Sequence, residues 1–207
     1  MVNGRIAENS SSVIWPGGTC PGVEECWADV DGSRMRYLRA GSGPPLVLLH
    51  GLLGYSFSWR FNIPALAQPA TVYAVDLLGT GLSDRPSQVD CSFRSIAESL
   101  LRFLDEAGVS TFDLLGTSHG GAVAMMLAAL CSELPHKRLR RLILAAPVNP
   151  WSPHGRRIAR FLGSPIGSSL FLLTLARMRS AYAYWLKRMY GYARRIPPGT
   201  LEGYSAP

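Results

Sequence analysis

The run Phe112-Asp113-Leu114-Leu115 leads directly into Gly116-Thr117-Ser118-His119-Gly120-Gly121, and this junction leaves little freedom in how the chain can fold. The next residues, Ala122 to Leu130, are rich in helix formers and nearly all apolar. Strand character passing through Gly-x-Ser-x-Gly into a helix predicts a sharp turn with a strained central residue, its side chain held above the sheet edge. Glycines two before and two after that residue, Gly116 and Gly120, let strand and helix approach closely. A helix apolar all round is a buried helix, so the sheet it leaves must be covered. Ser118 is thereby the candidate nucleophile. The competing reading is a glycine-rich turn that only packs a helix onto a sheet.

The rest of the chain fits a covered sheet. Segments 25–29 and 34–39 flank Asp31-Gly32, a strong hairpin signal because the turn wants positive φ at both central positions. Leu46-Val47-Leu48-Leu49, Val72-Tyr73-Ala74-Val75 and Leu142-Ile143-Leu144-Ala145-Ala146 are continuous apolar runs, as parallel strands buried on both faces should be. A helix is predicted over 58–67. A second is predicted where Phe93, Ile96, Ala97, Leu100, Leu101 and Leu104 line one face before Gly108. Alternating strands and helices predict a three-layer α/β fold with a mostly parallel sheet. Beyond Pro147 the texture changes, with prolines at 147, 150 and 153 and helical-looking segments at 156–162, 168–178 and 181–192. The expected organisation is a loose stretch over 1–24, an α/β core over 25–147 and a helical segment over 148–207.

Composition narrows the class of protein. The 207 residues are 47% hydrophobic and 17% charged, an ordinary globular balance with room for one sizeable core. No basic-then-apolar leader and no uninterrupted membrane-length apolar stretch are evident, so the expected location is cytoplasmic. Cys20, Cys26, Cys91 and Cys131 lack paired metal-ligand spacing and read as free thiols, with a Cys20–Cys26 bridge as the minor alternative. The net charge of +7 is unevenly placed: no Asp or Glu lies between Glu133 and Glu202, while arginines accumulate there. The preferred reading is that the acidic complement lies in a segment outside this sequence. Peripheral contact of residues 156–195 with an anionic membrane ranks behind it, and nucleic-acid binding rests on charge alone and is not expected.

Four landmarks together resemble a capped α/β-hydrolase. His50-Gly51-Leu52-Leu53-Gly54 follows the first buried strand, and Asp76-Leu77-Leu78-Gly79-Thr80-Gly81-Leu82-Ser83-Asp84-Arg85-Pro86 follows the next. The serine turn is third, and the helical run after Ala146 stands where that family inserts its cap. The resemblance implies Ser118 as nucleophile, with the backbone N–H groups of Leu52 and His119 as oxyanion donors. It implies loop support from His50, Gly51, Asp76, Gly116 and Gly120. The side chain of His119 either borders the pocket or packs beside it. A serine at this position argues against the branches that use Asp there, epoxide hydrolases and haloalkane dehalogenases. Cap residues such as Phe161, Phe171, Tyr184 and Trp185 either roof an apolar pocket or pack between cap helices.

The family's order of catalytic residues is Ser, then Asp or Glu, then His, and here it meets a difficulty. After Ser118 the carboxylates are Glu133 and Glu202 and the histidines are His119, His136 and His154. Glu133 and His136 satisfy the order, but a helix running from the turn to Glu133 would carry it about 20 Å away at 1.5 Å per residue. Catalytic proton transfer needs contact at about 3 Å. His154 lacks an acid partner, and Pro147-Val148-Asn149-Pro150-Trp151-Ser152 contains no carboxylate. The expectation is a C-terminally incomplete α/β-hydrolase, with its last core strands and its acid and histidine missing and supplied in cis or in trans. The function implied is hydrolysis of an ester-like bond in a small apolar molecule, without metal or other cofactor. The alternative is a catalytically inactive fragment or partner-binding module that keeps the first half of the fold.

Overall fold

The computed structural model describes residues 12–15, 18–87, 90–150, 164–167, 169 and 178–206. The chain divides into two compact units, one of residues 1–15, 19–150 and 207 and one of residues 16–18 and 151–206. The predicted segments 156–162 and 168–178 lie outside the described residues, except for Ser169 and Met178.

In the larger unit, β3 (Val23–Val30) and β4 (Ser33–Ala40) form the expected hairpin. Asp31 and Gly32 both adopt positive φ, 53° and 79°, and the Gly32 N–H donates to Asp29 Oδ1 at 2.8 Å. Two short strands are described within the stretch 1–24. Strands β1 (Ser12–Trp15) and β2 (Gly18–Pro21) pair as a small two-stranded sheet. The β-branched and aromatic residues Val13, Ile14 and Trp15 favour a strand, but Pro16-Gly17 masks that signal in a short window.

Strands β5 (Pro45–Leu49), β6 (Thr71–Val75), β7 (Phe112–Thr117) and β8 (Leu139–Ala145) complete a six-stranded sheet of order β3-β4-β6-β5-β7-β8. β4 pairs antiparallel with β6, whereas β5–β6, β5–β7 and β7–β8 are parallel. This is the α/β arrangement predicted, with the hairpin on one edge of a parallel sheet. The chain leaves β5 toward β6 on one side and later reaches β7 on the other. The strand order therefore reverses beside β5, and a crevice opens where the loops after β5 and β7 meet.

One predicted helix is broken. The predicted span 58–67 instead overlaps the end of a 3-10 turn (Ser56–Trp59) and holds a single helical turn, α1 (Ile63–Leu66). Pro64 sits in the first turn of α1, where its missing N–H costs nothing, and it forbids a continuous helix through 58–63. Helix α2 (Phe93–Glu106) begins at Ser92, whose hydroxyl accepts from the Ser95 N–H at 3.2 Å, and ends before Gly108 at φ 69°. Helix α3 (His119–Ser132) leaves the serine turn. Leu100, Phe103 and Leu104 of α2 and Val123, Leu127 and Leu130 of α3 join Val47, Leu49, Val75 and Leu114 in the main core, on one face of the sheet.

A charged cluster is buried beside this core. The Arg36 guanidinium, 3% exposed on β4, donates from Nε to Glu25 Oε1 at 2.7 Å and from Nη1 to Ser56 Oγ at 2.9 Å and Asp76 Oδ2 at 3.1 Å. Asp76, just past β6, also accepts from the Ser56 N–H at 2.7 Å and the Leu82 N–H at 3.1 Å. The network ties the loop after β6 to the hairpin. In the smaller unit the described elements are helices: α4 (Met178–Tyr190), a 3-10 turn (Ala193–Arg195) and α5 (Thr200–Tyr204). No described helix is long and apolar enough to cross a membrane. Cys26 forms no disulfide, which removes the Cys20–Cys26 bridge.

Removing one partner of a buried ion pair strands the other charge, which typically costs about 3–5 kcal/mol. Arg36→Met is expected to lower unfolding stability by about that amount in urea titrations. Arg39→Met, which loses only the exposed 4.0 Å pair with Glu24, should cost less than about 1 kcal/mol.

Candidate active site

Ser118 has φ 51° and ψ −117°, a conformation that L-residues avoid, between the last residue of β7 and the first of α3. Such strain persists only where the surroundings over-determine it. Here the Ser118 N–H donates to the Ala145 carbonyl at 3.2 Å. The Ser118 carbonyl accepts from the N–H groups of Gly121 at 3.0 Å, Ala122 at 3.2 Å and Val148 at 3.0 Å. The flanking glycines are required by close approach. A Cβ on Gly116 would run into the Gly120 carbonyl and lie 2.9 Å from Ala124 Cβ. A Cβ on Gly120 would run into the His50 carbonyl and lie 2.6 Å from the Leu49 carbonyl. Ser118 is half-buried, and its hydroxyl has no hydrogen-bond partner among the described residues.

The loop after β5 comes up against this turn. A Cβ on Gly51 would stand 3.4 Å from Ser118 Cβ and 3.9 Å from Ser118 Oγ. Residues 51–54 make a tight turn closed by the Gly54 N–H on the Gly51 carbonyl at 3.0 Å, with Leu53 at φ 58°. The Leu52 N–H and the His119 N–H, the first of α3, donate to no acceptor among the described residues. Unpaired N–H groups at a helix start favour negative charge. The side chains of Leu52 and Leu53 are 71% and 51% exposed.

His50 is buried, and its hydrogen bonds settle its tautomer. Nε2 accepts from the Leu77 N–H at 3.3 Å and lies 3.1 Å from Thr80 Oγ1, whereas Nδ1 lies 2.9 Å from the Gly51 carbonyl. With Nε2 as acceptor, Nδ1 carries the proton and donates to Gly51. Both ring nitrogens are engaged, so His50 serves its loop and has none left to take a proton from Ser118. Burial lowers its pKa, against smaller opposing effects of the Gly51 carbonyl and Asp76. His119 packs its ring beside Phe93, centroids 5.2 Å apart, and its pKa is lowered first by burial and then by His50.

The structure thus brings Ser118, Gly51, the Leu52 turn and His119 together, with Gly116 and Gly120 permitting the contact. Asp76 lies apart, its carboxylate consumed by Arg36, Ser56 and Leu82. Glu133 caps the far end of α3, a helix of 14 residues and so about 20 Å from Ser118. His154 and most of the aromatic cap residues lie outside the described residues, and Tyr184 on α4 is 61% exposed. Sequence reasoning missed the part played by 145–148. That stretch registers only as the end of a strand and the start of a loop without a carboxylate, yet it supplies two of the bonds that hold Ser118, and Pro147 fills the space beside Gly121. Backbone bonds of this kind leave no side-chain signature; the adjacent prolines mark a turn and nothing more.

This turn, its neighbouring His-Gly loop and the strand order define an α/β-hydrolase core. The family profile for the α/β hydrolase fold matches residues 44–164, more than half of the chain, and the chain belongs to that family. It is 40% identical over 123 residues to the dihydrolipoyllysine-residue acetyltransferase component of the acetoin cleaving system of Cupriavidus necator, covering 59% of this chain and 32% of that protein. It is 31% identical over 181 residues to haloalkane dehalogenase 2 of Mycobacterium tuberculosis, covering 86% and 56%. The solved structure of Cfl2 from Burkholderia cenocepacia superposes with a TM-score of 0.74 at 24% identity, over 89% of this chain and 65% of that one, a likeness of fold. The matches span from about a third to just over half of these two curated relatives.

Gly120→Ala should cost about 1–3 kcal/mol or prevent folding, because carbonyls of β5 and its loop stand where the methyl would go; urea unfolding measures this. The two histidines set a pH dependence. Both are held below their ordinary value of 6.5 when folded, so the unfolded chain binds more protons near and below that value. Their contribution is complete above about pH 6.5 and is lost as pH falls toward the depressed folded values. The urea midpoint should therefore drop between pH 8 and pH 5, and His119→Asn should flatten part of that slope.

Proposed function

We propose that this chain carries the nucleophile of a serine hydrolase acting on an ester-like bond of a small, fairly apolar molecule. The observation that carries the reading is Ser118 itself: a strained, half-buried serine with an unpartnered hydroxyl, at the crevice where two backbone N–H groups also lack acceptors among the described residues. Ser118 Oγ would attack the carbonyl carbon, and the proton leaving Oγ would pass to a base. The negative charge appearing on the carbonyl oxygen would be received by the N–H groups of His119 and Leu52. Peptide planarity supports the second donor. The Gly51 carbonyl is held by His50 Nδ1–H and the Gly54 N–H, so the Leu52 N–H of the same peptide must point the opposite way. Exposed Leu52 and Leu53 beside it favour an apolar substrate.

Haloalkane dehalogenase 2 is a relative in sequence, but the serine at the turn favours acyl transfer over displacement at a carbon–halogen bond. The base is the open part of the proposal. His50 is fully engaged, Asp76 is paired, and Glu133 is a helix length away, so none of them can activate Ser118. In this reading the acid and histidine come from a segment outside residues 1–207. The same observation favours a second reading, in which these residues by themselves are a partner-binding module without turnover.

A fluorophosphonate should label the protein at Ser118 once the acid and histidine are present, and Ser118→Ala should lose the label. Labelling that persists in that variant would overturn the assignment. Residues 1–207 alone should hydrolyse p-nitrophenyl acetate no faster than the Ser118→Ala variant does. Losing one oxyanion donor typically costs about 10²–10³ in kcat, so with the acid and histidine present and Ser118 unlabelled, His50→Phe should lower kcat by up to about that factor.

A further inference from the structure

The chain's charge is divided unequally between its two units. The larger holds twelve Lys and Arg against thirteen Asp and Glu, near balance at −1. The smaller holds nine Lys and Arg against one acid, Glu202, and so carries +8 with histidine neutral. Among the described residues four of those nine cations are exposed. Lys187 and Arg188 lie in the last turn of α4, and Arg194 and Arg195 in the 3-10 turn that follows. None of the four has an acidic partner among the described residues.

Exposed aromatic and apolar surface lies among the same residues. Tyr184 is 61% exposed, Met189 70% and Tyr192 59%. Tyr184, Lys187 and Arg188 stand at i, i+3 and i+4 and so share one face of α4, while the buried Leu186 faces away from them. After Gly191, at φ 75°, the same mixture resumes. The guanidinium carbons of Arg194 and Arg195 lie 5.3 and 5.2 Å from the centre of the Tyr192 ring. The dipole of α4 favours cations in its last turn, which accounts for Lys187 and Arg188 alone. It gives no reason for exposed Met189 and Tyr192 or for two further arginines.

We propose that this patch binds the surface of a bilayer rich in anionic lipid. Covering it with folded protein would take four cations out of water, each needing an acid already in place. A headgroup layer supplies negative charge at any position and stays hydrated, so each Lys or Arg close to it strengthens partitioning roughly fivefold. Tyrosine settles at the same depth, its ring toward the acyl chains and its hydroxyl in water, and Met189 enters beside it. Nucleic-acid phosphates would meet the cations equally well but would leave Met189 uncovered. No described helix can cross a bilayer, so the contact is peripheral and reversible. The proposal concerns the smaller unit and is independent of what Ser118 does.

Co-sedimentation of residues 1–207 with lipid vesicles tests it. Partitioning into equal parts phosphatidylcholine and phosphatidylglycerol should exceed that into phosphatidylcholine alone by at least about twentyfold. The difference should vanish in about 1 M NaCl, where charges are screened beyond about 3 Å. Arg194→Glu with Arg195→Glu should weaken binding to the anionic vesicles at least about twentyfold, and Arg194→Gln with Arg195→Gln should weaken it by less. Tyr184→Ser with Met189→Ser should weaken it about fivefold at unchanged charge. Arg94→Glu with Arg102→Glu makes the same charge change on exposed residues of α2 and should cost less than about threefold. Binding to neither vesicle, equal binding to both, equal loss in the two charge-reversed variants, or no loss from the tyrosine and methionine changes would overturn the proposal. So would displacement by a single-stranded oligonucleotide at a phosphate concentration equal to the lipid's, which would assign the patch to nucleic acid.

Discussion

The structure turns on the backbone of one residue. Ser118 is held in a conformation whose strain is on the order of 1–3 kcal/mol, and four hydrogen bonds to its own N–H and C=O hold it there. Each such bond contributes roughly 0.5–1.5 kcal/mol net, so together they offset the strain, whereas one alone would not. The bonds come from two directions. Gly121 and Ala122 belong to the helix that Ser118 starts, while Ala145 and Val148 flank the end of the neighbouring strand. The parallel pairing of β7 and β8 is therefore part of the site. Without β8 in register, Ser118 would keep only the bonds that any helix start provides.

A second line of support begins far from the serine. Arg36 neutralises Asp76, and Asp76 gathers the N–H groups of Ser56 and Leu82 and so fixes the loop after β6. That loop presents the Leu77 N–H to His50 Nε2, which assigns the ring proton to Nδ1. The Nδ1 proton then holds the Gly51 carbonyl and sets the peptide that carries the Leu52 N–H. A buried ion pair is weak evidence for stability, because its desolvation is costly. Here its return is orientation: each link is a directional bond, and the last orients a group at the serine turn.

The parts of this molecule that could be read from sequence are those whose physics is local. Asp31-Gly32 fixes a hairpin through the φ it demands, and β5, β6 and α2 follow from uninterrupted or periodic apolar residues. The turn at Ser118 was legible because close packing removes side chains at Gly116 and Gly120, and missing side chains are visible in a sequence. The break in the 58–67 helix was also legible in principle from Pro64, which lies inside the predicted span. Whatever backbone groups do at long range could not be read. The clasp of 145–148 on Ser118 and the tautomer of His50 depend on peptide groups that every residue possesses. The exposure of β8 was hidden for another reason: Ile143 reads as a buried strand residue, yet it is 43% exposed because β8 is the last strand of the sheet.

The distribution of strain supports placing the functional site here more directly than the motif does. Among the described residues, four non-glycine residues adopt positive φ: Asp31, Leu53, Ser118 and Ala146. Asp31 sits in a hairpin turn that asks for this conformation, and aspartate tolerates it. The other three have no such excuse. Leu53 lies in the turn whose Gly51 meets Ser118, and Ala146 follows the carbonyl that receives the Ser118 N–H. For Leu53 and Ala146 glycine would be the cheaper residue, since an L side chain in this region costs about 1–2 kcal/mol. Three strained residues from three separate loops therefore lie in or next to the segments that meet at Ser118. Packing alone has no reason to gather strain at that point, whereas a site that must hold its backbone donors and its serine in fixed relation does.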